Sequence, residues 1–263
     1  MQDRYAADLG DFLKLGLLRW LVATPPKRSR PRLGVVWYRV PNEEGNADGK
    51  YVAYLRDGHP TGRMLQELAP DLYDRLRSVH DSGDRSVAKL ESSGVLPAGT
   101  QTHSAELAFR HLGPREQARR IAHRRRWFDA ALTAVQACSL VFIDPDNGLR
   151  RTDHRVPAYR NRAEKHAYLD EVKQFTDRGQ SVVAYHHADR SAKVAVQAQR
   201  RMEDVAEQVG VTPIAAVLAS RGTTRLFVVI PAEEHRVQLT ERLDELESSA
   251  WARELLVCRW SPT

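Results

Sequence analysis

Residues 141–149 read Val-Phe-Ile-Asp-Pro-Asp-Asn-Gly-Leu, an apolar run that ends abruptly in two carboxylates, a carboxamide and a glycine. Asp144, with Asn147 assisting, can accept hydrogen bonds from an exocyclic amine and aim its lone pair at an electrophile. Pro145 makes the exit stiff and removes a backbone donor. The same oxygens, with Asp146, are hard ligands at a spacing that can grip Mg²⁺ or Mn²⁺. A second cluster, His186-His187, follows the apolar run 181–185. An imidazole there can act as a general base or bind a softer ion. Neighbouring strand residues point to opposite faces, so at most one of the two need face a site shared with Asp144. The bland alternative is a capped turn, since short Asp/Asn/Gly runs are common turn chemistry.

These residues need strands that end at one place. Both apolar runs read as buried strands, and their polar ends as loops at the carboxyl edge of an open α/β sheet, where ligands bind. Leu9–Val22 carries an apolar stripe (Leu9, Phe12, Leu13, Leu17, Trp20, Leu21) at helical spacing, with Asp8 as N-cap and Asp11 in the first turn. Pro25-Pro26 stops that helix, and the basic linker 27–32 follows. Residues 33–40 predict the first strand, 41–50 an acidic loop, and 51–55 a short strand. Helical segments are expected over 62–79, broken near Pro70, and over 85–93, while 95–101 is irregular with strand character. The strongest long helix is 114–137, opened by a proline and carrying Ile121, Phe128, Leu132 and Val135 on its apolar face. Then the order becomes regular: strand Leu140–Ile143, helix 163–176, strand 181–185, helix 192–209 closed by Gly210, strand 213–218, strand Arg225–Ile230 and helix 233–247. The last two strands are joined by a few residues and must be antiparallel. Residues 62–113 are expected to form a helical insertion within a single domain spanning 1–263.

The composition narrows the class. With 42% hydrophobic residues, the chain of 263 can build a core. No apolar run is long enough to span a bilayer, and the first residues lack a signal-peptide pattern, so a cytoplasmic protein is expected. Two cysteines, Cys138 and Cys258, exclude a disulfide framework and a cysteine-rich zinc site. A net charge of +6 favours a polyanionic partner such as nucleic acid, although a coding bias toward arginine produces the same balance. Arg120 and Arg124 share a helix face. Arg150, Arg151 and Arg155, in the long polar loop after Asp144, are the stronger candidates for phosphate contact.

The chain resembles, at a distance, the 23S ribosomal RNA adenine-N6 methyltransferase family of the J type. That family opens with a Gly-Asn-x-Ala-Asp-x-Leu-Lys helix, and Ala7-Asp8-Leu9-Gly10-Asp11-Phe12-Leu13-Lys14 stands at the matching place. Its catalytic Asp-Pro-Pro-Tyr loop is matched by Asp144-Pro145-Asp146-Asn147, and its Trp-Tyr-Pro strand end by Tyr185-His186-His187. The resemblance implies a Rossmann-like methyltransferase sheet, mostly parallel with a C-terminal antiparallel strand. It implies S-adenosylmethionine as cofactor, with Asp8, Asp11, Lys14 and Tyr38 near it. Asp144 would sit at the target amine of an adenine in nucleic acid. The second proline and the aromatic of the catalytic loop are absent here. The glycine-rich loop after the first strand is replaced by Tyr38-Arg39-Val40-Pro41-Asn42-Glu43-Glu44-Gly45. The middle third of the chain has no counterpart.

Two other classes fit the same residues. A divalent-metal-dependent nuclease or phosphoesterase would use Asp144, Asp146 and His186 (or His187) around Mg²⁺ or Mn²⁺. A non-catalytic binding protein on a decayed methyltransferase fold would keep Asp8, Asp11 and Lys14 only as capping and surface charge.

Overall fold

The computed structural model describes residues 1–23, 30–43, 49–113, 115–152, 160 and 162–261. Helix α1 spans Leu9–Val22, and Asp8 caps it by accepting from the backbone N–H of Asp11 at 2.9 Å. Strand β1 (Leu33–Val36) follows, then α2 (Pro60–Leu68), α3 (Pro70–Asp81), α4 (Val87–Ser92) and β2 (Gln101–His103). Helix α5 (Gln117–Ala134) leads to β3 (Leu140–Ile143), β4 (Gly148–Arg150) and β5 (His166–Tyr168). The remainder is α6 (Leu169–Thr176), β6 (Ser181–His187), α7 (Val194–Val209), β7 (Ala215–Ala219), β8 (Arg225–Ile230), α8 (Arg236–Glu247) and β9 (Leu255–Arg259).

Seven strands form one sheet in the order β2-β1-β3-β6-β8-β7-β9. The first four are mutually parallel. Strand β8 runs antiparallel to both β6 and β7, and β9 antiparallel to β7. The continuous apolar runs of the central strands reflect burial on both faces. Alternation sends Val35 and Phe142 into one apolar layer with α1, α3 and α8, and Val36, Val141 and Ile143 into the other with α5, α6 and α7. The segment 62–113 belongs to this body: Leu65, Leu72, Leu76, Val79, Val87 and Leu90 enter the first layer, and β2 extends the main sheet.

Several local expectations are corrected. Residues 51–55 contain a 3-10 turn (Ala53–Leu55), not a strand. The helix expected over 163–176 is a 3-10 turn, then β5, then the shorter α6. Strand β5 forms because β4 lies beside it, a pairing invisible to local periodicity. Ile121 is 48% exposed rather than core-facing. Strand β9 was not anticipated. Pro25-Pro26 and Pro114 lie outside the described residues.

A buried ion pair fastens α5 to α6. Arg124 donates to both oxygens of Glu171, at 2.7 and 2.8 Å, and to the carbonyls of Ala163 and His166. Glu171 also accepts from the Tyr38 hydroxyl and the backbone N–H of Tyr168. Both charges are nearly inaccessible, so removing one leaves the other unpaired in the interior. Glu171→Ala is expected to cost about 3–5 kcal/mol of stability, read from urea unfolding. A change below about 1 kcal/mol would mean that Arg124 reaches water.

Candidate active site

Asp144 leaves β3 while its N–H still donates to the carbonyl of Val36 at 3.0 Å, so its position is fixed by the sheet. Its side chain meets Lys14 of α1: Nζ lies 2.9 Å from Asp144 Oδ2 and 2.6 Å from Asp11 Oδ1. Asp11 Oδ2 in turn accepts from the N–H of Ala7 at 3.0 Å. That bond helps hold Ala7 in the left-handed region at φ 61°, a conformation rare for a residue with a side chain. Lys14 also sits 5.0 Å from the ring centroid of Trp37. All three charged groups are buried. Burial pulls Lys14 down, but the two carboxylates outweigh it and raise its pKa. Burial pushes Asp11 up to about 6 against the pull of Lys14.

This triad borders a cavity of 240 Å³ lined by Asp8, Lys14, Asp144, Pro145, Asp146, Asn147, Tyr185, His187 and Arg225, with Tyr5 and Tyr51 among the lining aromatics. Asp144 Oδ1 takes no hydrogen bond among the described residues. Asp146 is differently placed: its Oδ2 accepts from Gln2 at 3.0 Å and faces Lys165 Nζ at 3.1 Å. Burial would raise Asp146, but the surrounding positive charges, Lys165 among them, hold it below the ordinary carboxylate range. Arg225 is buried, donates to the carbonyls of Arg221 and Thr223, and stands 3.6 Å from Asp8 Oδ2. It packs so closely on α1 that a Cβ added to Gly10 would fall 2.4 Å from its guanidinium carbon.

The structure thus brings Asp8, Lys14, Asp144, Asp146, Asn147 and His187 to one place, with Asp11 immediately behind. It does not bring Tyr38 there. That side chain is fully buried in the other layer and bonded to Glu171, while residues at the start of the chain cover the β1 exit, Val40 donating to the carbonyl of Met1. His186 also points away. Its Nδ1 accepts from the N–H of Leu149 at 3.1 Å, on the opposite side of the 144–149 loop. Asp144, Asp146 and His186 therefore do not converge, and among the described residues no group of three or more His, Cys, Asp or Glu side chains is placed to hold a metal ion. Arg124 and Arg120 are buried, the latter bonded to the carbonyl of Leu112, so neither presents a free guanidinium to a phosphate. Arg151 pairs with Asp204 and Glu207, Arg150 lies in a second trough with His186, and Arg155 lies outside the described residues.

Sequence reasoning missed Lys165, Arg225 and Tyr185 as lining or pairing residues. For Tyr185 the signal was present, since it ends the same strand as the histidines. For Lys165 and Arg225 there was none, because each reaches its partner across more than one element. Comparison with known proteins returned no family model, no curated protein and no solved structure that matches this chain.

The two histidines behind the loop predict a pH response. Burial lowers His186 to about 3 and His166 to about 4, from an ordinary 6.5. Below pH 6.5 the unfolded chain binds protons that the folded chain refuses, so these groups make stability fall as pH drops from 6.5 toward 4. Asp11, raised from 3.8 to about 6, works in the opposite sense between those values, so the His contribution must be read by difference. In His186→Asn the amide oxygen can replace Nδ1 as acceptor from Leu149. The variant should lose about one proton's worth of slope between pH 6.5 and 4 in urea unfolding. An unchanged slope would show that His186 is hydrated.

Proposed function

We propose that the protein transfers a methyl group from S-adenosylmethionine to an exocyclic amine, that of an adenine in nucleic acid. The observation that carries this reading is Asp144: one oxygen is anchored by Lys14, and the other is unengaged at a cavity beyond the carboxyl ends of parallel strands. Strand order supports it. The run β2-β1-β3-β6-β8-β7, with antiparallel β8 set between parallel neighbours in direction, is the arrangement expected of a Rossmann-like methyltransferase sheet lacking one edge strand, with β9 added outside.

The lining residues fit the cofactor's chemistry. A zwitterionic amino-acid end needs both signs of charge, and Asp8, Lys14 and Arg225 supply them. Tyr5, Tyr51 and Tyr185 give the cavity aromatic surface for a base. When bound, S-adenosylmethionine supplies an electrophilic methyl on a positively charged sulfur. The unengaged oxygen of Asp144 accepts one N–H of the amine and orients the nitrogen lone pair toward that methyl. As the N–C bond forms and the C–S bond breaks, the surplus proton leaves the nitrogen toward the same oxygen. Lys14 holds the carboxylate in place and Pro145 keeps the loop stiff. Asn147, exposed at the rim, is a second hydrogen-bonding group for the base. At 240 Å³ the cavity is below the usual range of about 300–1,000 Å³ for small-molecule sites. Cofactor and base together need the exposed rim residues Tyr51 and His187 to yield.

Calorimetric titration with S-adenosylmethionine, in EDTA and again with Mg²⁺, should show micromolar binding that does not depend on metal. Asp144→Asn should keep that binding and lower methyl transfer at least about a hundredfold, the scale of a lost proton-accepting group. Absence of cofactor heat, with heat from the metal alone, would overturn the reading in favour of the nuclease.

A further inference from the structure

On the other side of the 144–149 loop lies a second trough of 490 Å³, and its composition is one-sided. Four arginines (Arg150, Arg151, Arg200, Arg201) and three histidines (His166, His186, His187) line it, against the single carboxylate of Asp189. That carboxylate is exposed and already accepts from the N–H of Ser191, two residues on, at 2.8 Å. Arg151 and Arg201 are matched by Asp204 and Glu207 beneath them. Among the described residues Arg150 meets the Tyr168 hydroxyl but no carboxylate, and Arg200 has no carboxylate partner and is exposed.

The trough has a built floor. Gln197 is buried and ties down the turn before α7, accepting from Asp189 N–H at 3.0 Å and donating to the carbonyls of Asp189 and Ala192 at 2.8 and 2.7 Å. His186 is fixed by accepting from Leu149, so its neutral ring carries the proton on Nε2, as a donor. Gly148 permits this wall: it has φ 107°, and a Cβ there would lie 2.5 Å from His186 Nδ1. The Nε2 donor of His186 among arginines without a carboxylate partner suits an anion with several acceptor oxygens. The trough and the Asp144 cavity share Asn147 and His187, so one elongated ligand can occupy both.

We infer that the trough is a phosphate track for a nucleic-acid strand, with Arg150 and Arg200 on successive phosphates and one extruded base passing Asn147 and His187 into the neighbouring cavity. Track binding stands without any methyl transfer; only the fate of the extruded base rests on the function proposed above. Taking a base out of the stack is what an enzyme acting on its amine requires. Each unmatched arginine adds one phosphate contact and one released counterion.

The test is fluorescence anisotropy with a labelled single-stranded oligonucleotide, in the absence of S-adenosylmethionine, across a salt series. The wild-type protein should bind with a steep salt dependence. The double variant Arg150→Ala/Arg200→Ala should bind about tenfold or more weakly, with a log–log salt slope shallower by about two. Arg200→Ala alone, at an exposed site that leaves the fold untouched, should shift the slope by about one. Arg119→Ala/Arg126→Ala removes the same charge from the exposed side of α5 and should bind like wild type. Equal weakening by both double variants, or no binding by wild type, would overturn the track; so would pyrophosphate binding that depends on Arg200 when the oligonucleotide does not bind. A 2-aminopurine in the strand should brighten on binding, and unchanged emission would overturn base extrusion. Arginine-dependent strand binding without cofactor heat would remove the methyl-transfer reading and leave the track standing.

Discussion

Lys14 is the point on which the architecture of the site turns. Its ammonium lies between Asp11 of its own helix and Asp144 at the end of a central strand, so one charge fastens α1 to the carboxyl edge of the sheet. Isolated, any of the three charges would be costly at this depth; together they are tolerable because the two carboxylates share one ammonium and Asp11 takes a backbone N–H as well. Asp11, held by Lys14, also accepts from the N–H of the left-handed Ala7, beside the Asp8 cap of α1. A buried pair of this kind is a poor source of net stability and a good source of geometry.

The arginines show the same economy of placement in a different role. A basic composition suggests an exposed basic surface, yet Arg124, Arg120, Arg225 and Arg242 are buried and bonded to carboxylates or carbonyls. The planar guanidinium, with five donors, satisfies several carbonyls at once where a lysine ammonium would serve fewer in fixed directions. Net charge therefore says less about the surface of this protein than its two unmatched trough arginines do.

The central strands and most helices were legible in the sequence because their signals are local. Leu140–Ile143 and Arg225–Ile230 fall where apolar runs meet turn residues, α1 is marked by its cap and stripe, and Gly210 closes α7 at φ 77° as expected of a glycine stop. The failures share one cause. Strands β5 and β9 exist because of distant partners, β4 and β7, and a 3-residue strand carries no periodicity of its own. At the site, Asp144 was legible from a strand-end motif, while Asp11 and Lys14 entered only through the family resemblance of the first helix. Tyr38 was misjudged by one residue of alternation: Trp37 faces the Lys14 side of the sheet and Tyr38 the other.

Gly10 and Arg225 illustrate how such a site couples its residues. The two are distant in sequence, yet the guanidinium lies over the helix where no Cβ has room. Alanine at 10 forces the guanidinium of Arg225 to shift off α1, while a short side chain at 225 leaves a hole over α1 and makes room for a Cβ at position 10. The two positions are therefore energetically coupled through one contact, so the cost of changing both differs from the sum of the single costs.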